Sequence, residues 1–232
     1  MGNRFNGSNS IGEIVSNFPG ASNLFKRNRI DFCCGGDRLL ETVLRQQKLD
    51  ETTFIDKLNQ LYIEANKETD PHTNWLEVSN SDLIDHVVNT HHTYLVTELP
   101  LLSEFVTKIL KVHGQNHGEL SKLHRLFHML KIEFEQHLIA EEQTVFPLIR
   151  EYDVNPNPAL KDQIAKTIMI LEAEHSSVGE LLKEIRTITD DYTLPPEACR
   201  TYTLTFQKLE GLESDTFQHI HLENNILFPR FL

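Results

Sequence analysis

Three polar breaks most constrain what this chain can fold into. GQNHGEL, DVNPNPA and TDDYTLPPEA divide the sequence beyond about residue 82 into four long stretches whose apolar residues recur three or four apart. That spacing is the signature of amphipathic helices. The first stretch follows Ser79, Asn80, Ser81 and Asp82, all good N-caps, and Pro100 predicts a kink within it. No segment alternates apolar and polar residues as a half-buried strand would. Four helices joined by short turns predict an all-α chain whose larger part is an up-down four-helix bundle.

Upstream, IGEIVSNF, ASNLFKRNRI, DRLLETVLRQQ and ETTFIDKLNQLYIEANK have the same helical spacing in shorter runs, punctuated by Pro19-Gly20 and Gly35-Gly36. These predict a small helical domain over 1–66, a polar linker over 67–81 and the bundle over 82–232.

Composition narrows the setting. A net charge of −12 disfavours a nucleic-acid backbone or an anionic membrane as partner. No run approaches ~18 apolar residues, and MGNRFNGSNS contains no apolar signal segment. Only Cys33, Cys34 and Cys199 carry thiols, which suits a reducing compartment and predicts a cytoplasmic protein. Twelve histidines are the one anomaly that needs an account.

The chain writes one phrase twice: HLIAEEQTVFP at 137–147 and HIHLENNILFP at 219–229. His137 and Glu141, like His219 and Glu223, are four apart and share one helix face. Each phrase closes on Phe-Pro, which reads as a helix stop. At about 100° per residue, from 3.6 residues per turn, His128 falls on the face opposite His137, and His221 is turned away from His219.

Residues at equal depth in an antiparallel hairpin are equidistant from its turn. The pair His92 and His137 has its midpoint between 114 and 115, His137 and His175 at 156, and His175 and His219 at 197. All three midpoints fall in the breaks. Four helices can therefore present His92, His137 with Glu141, His175, and His219 with Glu223 at one level.

Four imidazoles and two carboxylates are too many donors for one ion and suit two. Nitrogen and oxygen donors without thiolate fit iron, or less selectively manganese or zinc. Two glutamates can bridge such a pair, and six side chains leave positions for dioxygen, nitric oxide or an oxo bridge. The bland alternative is a set of surface His–Glu pairs worth a few tenths of a kcal/mol each.

DFCCGG, residues 31–36, precedes a helical run, so the helix dipole should lower a thiol pKa there. Adjacent cysteines are not the C-x-x-C of redox or zinc sites, and a disulfide between them closes a strained ring. Two small residues packing at a glycine turn is the competing reading. Cys199, at a helix start in PPEAC, reads as structural.

DFCCGG together with EEQTVFP, EHSSVGELL, PPEAC and HLENNILFP resembles the iron–sulfur cluster repair di-iron proteins, the repair-of-iron-centres family. The resemblance spans nearly the whole chain. It implies a small N-terminal domain with the DFCCGG motif and a hemerythrin-like bundle. Its ligand positions fall on His92, His137, Glu141, His175, His219 and Glu223, with His92 favoured over His91, although a one-residue slip exchanges them. It implies two non-haem iron ions per chain, oxo- and carboxylate-bridged. It further implies donation of iron to iron–sulfur proteins damaged by nitrosative or oxidative stress, with Cys33 and Cys34 as redox or transfer thiols. Nitric oxide or dioxygen would be small ligands, and some members are homodimers.

Two other functions compete. A hemerythrin-like carrier or sensor of nitric oxide or dioxygen has no use for the cysteine domain, and hemerythrins proper resemble a five-histidine set where this chain has four. Nitric oxide reduction stays open. A ferritin-like oxidase is disfavoured, because such sites run E-x-x-H rather than H-x-x-x-E.

Overall fold

The computed structural model describes residues 4–65 and 74–232. The expected linker, 67–81, therefore lies partly outside the described residues. The described residues are helical, with one isolated pairing between Ser10 and Leu39 and no strand. By its contacts the chain divides into two units, Met1–Ser79 with Phe217–Leu232, and Asn80–Thr216.

The first unit contains α1 (Ile11–Asn17), α2 (Ala21–Arg27), α3 (Leu40–Gln46) and α4 (Glu51–Ala65). Ser10 caps α1 by accepting the N–H of Glu13, which satisfies one of the orphan donors of the first turn. Ile11, Ile14, Phe25, Leu40, Leu44 and Leu58 are fully buried in its core. Asn59 clamps the N-terminal arm, accepting the N–H of Phe5 and donating to its carbonyl, both at 2.9 Å. The C-terminal segment is part of this unit: Arg230 donates to the carbonyls of Val78 and Trp75 at 3.0 and 2.9 Å.

The second unit contains α5 (Asn80–Val87), α6 (Thr93–His113), α7 (Glu119–Ala140), α8 (Phe146–Val154), α9 (Pro158–Ile188) and α10 (Arg200–Leu222) as far as Thr216. Helix α6 packs on α7 and α7 on α9. Helix α10 joins them through Lys208 to Glu98 and Glu213 to Arg186. Asn157 caps α9 by accepting from Leu160 N–H, with Pro158 in the first turn, where its missing N–H costs nothing. Helix α6 is unbroken at Pro100.

Among the described residues the helices contain three π-helical turns: Val88–His92, Glu141–Val145 and Glu223–Leu227. Each fits one extra residue into the helix and locally rotates the face that follows. Phe146-Pro147 is therefore not a stop. Pro147 sits in the first turn of α8, where a proline needs no N–H.

Candidate metal centre

The apolar stripe that buries each helix also aims its histidine inward. On α7 the buried positions Leu123, Phe127, Leu130 and Phe134 run on to His137, and on α9 Ile164, Ile168 and Leu171 run on to His175. On α6 the stripe of Leu95, Leu99 and Leu102 starts one turn after His92. A helix that must bury its apolar face therefore carries these imidazoles inside with it.

Within the bundle unit the three histidines meet around one carboxylate. Glu141 is fully buried. Its Oε1 lies 3.1 Å from His137 Nε2 and its Oε2 lies 3.2 Å from His92 Nε2. His175 Nε2 is 2.9 Å from His137 Nε2. His137, Glu141 and His175 each offer a ligand atom within 4.8 Å of the other two. In the other unit, His219 Nε2 and Glu223 Oε1 are 3.2 Å apart and both residues are buried.

Two outer carboxylates orient the rings. His92 Nδ1 donates to Glu142 Oε1 and His137 Nδ1 to Glu174 Oε2, each at 2.7 Å. With the proton on Nδ1, each Nε2 turns a lone pair toward Glu141. Carboxylate oxygens facing imidazole lone pairs repel unless positive charge lies between them. A buried carboxylate also costs several kcal/mol without such compensation. Metal ions meet both needs, and a carboxylate behind the far ring nitrogen is the usual support of a metal-bound histidine. The donor set therefore fits a metal.

His92, not His91, faces Glu141: His91 Nδ1 bonds to Asp215 Oδ1 at 2.9 Å. His128 bonds to Ser103 Oγ and to the His124 carbonyl, away from this cluster. Glu142 and Glu174 were invisible to helix spacing. The only sequence signal was that each stands beside a candidate ligand, in EE and EH. The π-helical turns were equally hidden, yet His92 ends one, Glu141 begins the second and Glu223 begins the third. Such turns concentrate at functional sites because they redirect side chains.

His221, excluded from the histidine set by its helical phase, has a role in the first unit. Its Nδ1 donates to the carbonyl of Phe32 at 3.3 Å, and burial pushes its pKa down to about 4, so the ring is neutral. Asn225 Nδ2 reaches the carbonyls of Phe32 and Cys33 at 3.3 and 3.0 Å. These bonds hold the cysteine turn. A Cβ at Gly36 or Gly12 would lie 2.1 or 2.3 Å from Asn225 Oδ1, so a side chain at either position would displace Asn225 from these bonds.

The thiols correct two expectations. The Cys33 pKa is raised, not lowered, by the neighbouring Cys34 thiol, by burial and by Asp31. The α-helix starts only at Leu40, too far for its dipole to matter. Cys199 is exposed and not a core residue. Its thiol is pushed down to about 7 by the backbone N–H of Tyr202 and by His113, whose Nε2 lies 3.2 Å from Sγ.

Residues 83–231 match the family described as Hemerythrin HHE cation binding domain, and residues 7–62 match the Domain of Unknown function DUF542. The chain is 34% identical over 222 residues to the iron-sulfur cluster repair protein YtfE of an Enterobacter species, covering 96% of each. It is 32% identical over 221 residues to the iron-sulfur cluster repair protein ScdA of Staphylococcus haemolyticus, covering 95% of this chain and 96% of that one. This chain belongs to the iron–sulfur cluster repair family. The resemblance seen in DFCCGG and HLENNILFP is thus borne out along nearly the whole length, as is the all-α bundle. Membership of a hemerythrin-domain family implies a non-haem iron centre, and the buried His–Glu cluster is where this chain can hold metal. Among the described residues, no helix is long and apolar enough to cross a membrane.

Proposed function

We propose that this protein holds two non-haem iron ions through His92, His137, Glu141, His175, His219 and Glu223 and donates iron to damaged iron–sulfur clusters. The observation that carries this reading is Glu141, whose two oxygens face different imidazoles, His92 and His137, each backed by its own outer carboxylate. A carboxylate that turns one oxygen to each of two donor groups is the arrangement a bridging ligand needs. The repeated H-x-x-x-E phrase and the hairpin register support His219 and Glu223 as the partners that complete the set. The names of the relatives support repair as the function.

When bound, such a centre supplies exchangeable ferrous iron and positions for a small ligand such as nitric oxide or dioxygen. The chain's own residues do the rest. Glu141 and Glu223 supply the buried negative charge, Glu142 and Glu174 fix the tautomers of His92 and His137, and the apolar stripes exclude bulk water. In this reading residues 82–232 form the iron-holding bundle, and residues 1–66 carry Cys33 and Cys34 as redox or transfer thiols in a cytoplasmic protein.

Two measurements test the proposal. Protein purified without oxygen should contain about two irons per chain, by elemental analysis. It should also restore activity to a dehydratase whose [4Fe–4S] cluster has been damaged with nitric oxide. Zinc alone, or no metal after reconstitution with ferrous iron, would overturn the centre. Two irons without reactivation would overturn the repair role.

A further inference from the structure

The DFCCGG turn places three donor side chains close together. Cys33 and Cys34 are thiols, not a disulfide, and their sulfurs are 3.8 Å apart. A disulfide would need about 2.0 Å. Two sulfurs bound to one tetrahedral ion at about 2.3 Å each lie about 3.8 Å apart, so the two thiols already stand at the edge length of such a site. Asp31 Oδ1 is 3.3 Å from Cys33 Sγ, and one ligand atom from each of Asp31, Cys33 and Cys34 lies within 4.8 Å of the others.

The turn is held in this shape from both sides. Asp31 Oδ1 accepts the N–H groups of Cys33, Cys34 and Gly35 at 3.2, 3.0 and 3.2 Å. Behind it, His221 and Asn225 fix the carbonyls of Phe32 and Cys33, and the N–H of Gly12 fixes that of Gly36 at 2.7 Å. Holding donors before the ion arrives lowers the ordering entropy of binding. Cys33 is buried whereas Cys34 and Asp31 are partly exposed, so an ion can enter from the solvent side and keep a fourth position for water or for a receiving ligand. Two sulfurs select a thiophilic ion over magnesium or calcium.

We infer that Asp31, Cys33 and Cys34 form a second metal site, which takes one thiophilic divalent cation such as ferrous iron or zinc. Binding replaces the two thiol protons: the cation forms two metal–sulfur bonds, two protons leave to solvent, and no electron is transferred. That the physiological ion is iron in transit rests on the repair reading, whereas the existence of the site does not.

Cobalt(II) titration of the full-length, fully reduced protein tests this, in a Cys199→Ser background that removes the third thiol. We expect a thiolate-to-cobalt charge-transfer band and one more bound cobalt per chain than in the Cys33→Ser/Cys34→Ser variant, which should lack the band. Asp31→Asn should weaken the cobalt affinity reported by the band at least about tenfold, the lower end of what losing even an outer partner of a metal ligand costs. The band should persist in His137→Ala, which damages only the histidine centre. No band in the folded parent protein, or a band that survives loss of both cysteines, would overturn the site while leaving the iron content of the histidine centre as a separate result. Circular dichroism on each variant establishes folding, and the parent protein alone suffices to refute the inference.

Discussion

Glu142 accepts a hydrogen bond from Nδ1 of His92 at 2.7 Å, and Glu174 does the same for His137 at the same distance. Both carboxylates are partly exposed, at 45% and 44% of their side chains, while the rings they hold are buried. The bundle thus orients its inner donors from its solvent-facing rim. Glu142→Gln and Glu174→Gln should each weaken iron retention about 10- to 100-fold with the fold intact. Competition with a chelator measures this; unchanged retention in both would show that the rim acids are ordinary surface pairs.

Glu141 and Glu223 should behave differently from other buried acids. Replacing either with alanine should lose the metal pair or leave single uncoupled ions, read by elemental analysis and magnetic measurements. His128→Ala should keep both ions, since its partners are Ser103 and His124. Two coupled irons retained in both glutamate variants would end the bridging assignment.

The close approach at the cysteine turn should be costly to disturb. A methyl group at Gly36 would sit 2.1 Å from Asn225 Oδ1, so Gly36→Ala should destabilise the protein by about 1–3 kcal/mol through overpacking. Urea denaturation gives the number. In an Asn225→Gly background the same substitution should cost much less, because the two residues are coupled by direct contact. Equal costs in both backgrounds would place the strain elsewhere.

Arg186 grips Glu213 through Nε at 2.8 Å and through Nη2, and Glu213 is almost fully buried. The same guanidinium stacks on Tyr192 and bonds Asp191, in a turn where Asp190, Asp191 and Tyr192 all have positive φ. Non-glycine residues are strained in that region and persist only when other contacts determine them. Arg186→Ala should therefore cost about 3–5 kcal/mol by leaving a buried charge alone, whereas Arg186→Met with Glu213→Leu should recover most of it. Calorimetry of the two variants decides.

Cys199 should titrate within the physiological range. With its thiol at about 7, thiolate and alkylation rate rise as pH passes upward through that value and vanish below it. Mass-resolved iodoacetamide labelling should place the midpoint near 7, and His113→Ala should move it toward the ordinary thiol value of about 8.5. A midpoint near 8.5 in the unaltered protein would show that His113 and the helix terminus do not stabilise the thiolate.

The sequence by itself determined the helices, their breaks and the level at which His92, His137 and His175 meet, because helical period and hairpin symmetry are local rules that act on residue spacing alone. Glu141 was legible for the same reason, four residues from His137 on a buried stripe. Only the tertiary structure decided that Glu142 and Glu174 orient the rings, that His92 rather than His91 turns inward, and that His221 and Asn225 hold the cysteine turn. Those contacts join residues far apart in the chain, and no periodicity encodes them. The π-helical turns belong to the same class: a single extra residue in a helix gains nothing locally and persists only where packing and the buried polar cluster repay it. The Cys33 pKa reversed for that reason as well, since the Cys34 thiol and burial raise it while the helix dipole is too distant to act.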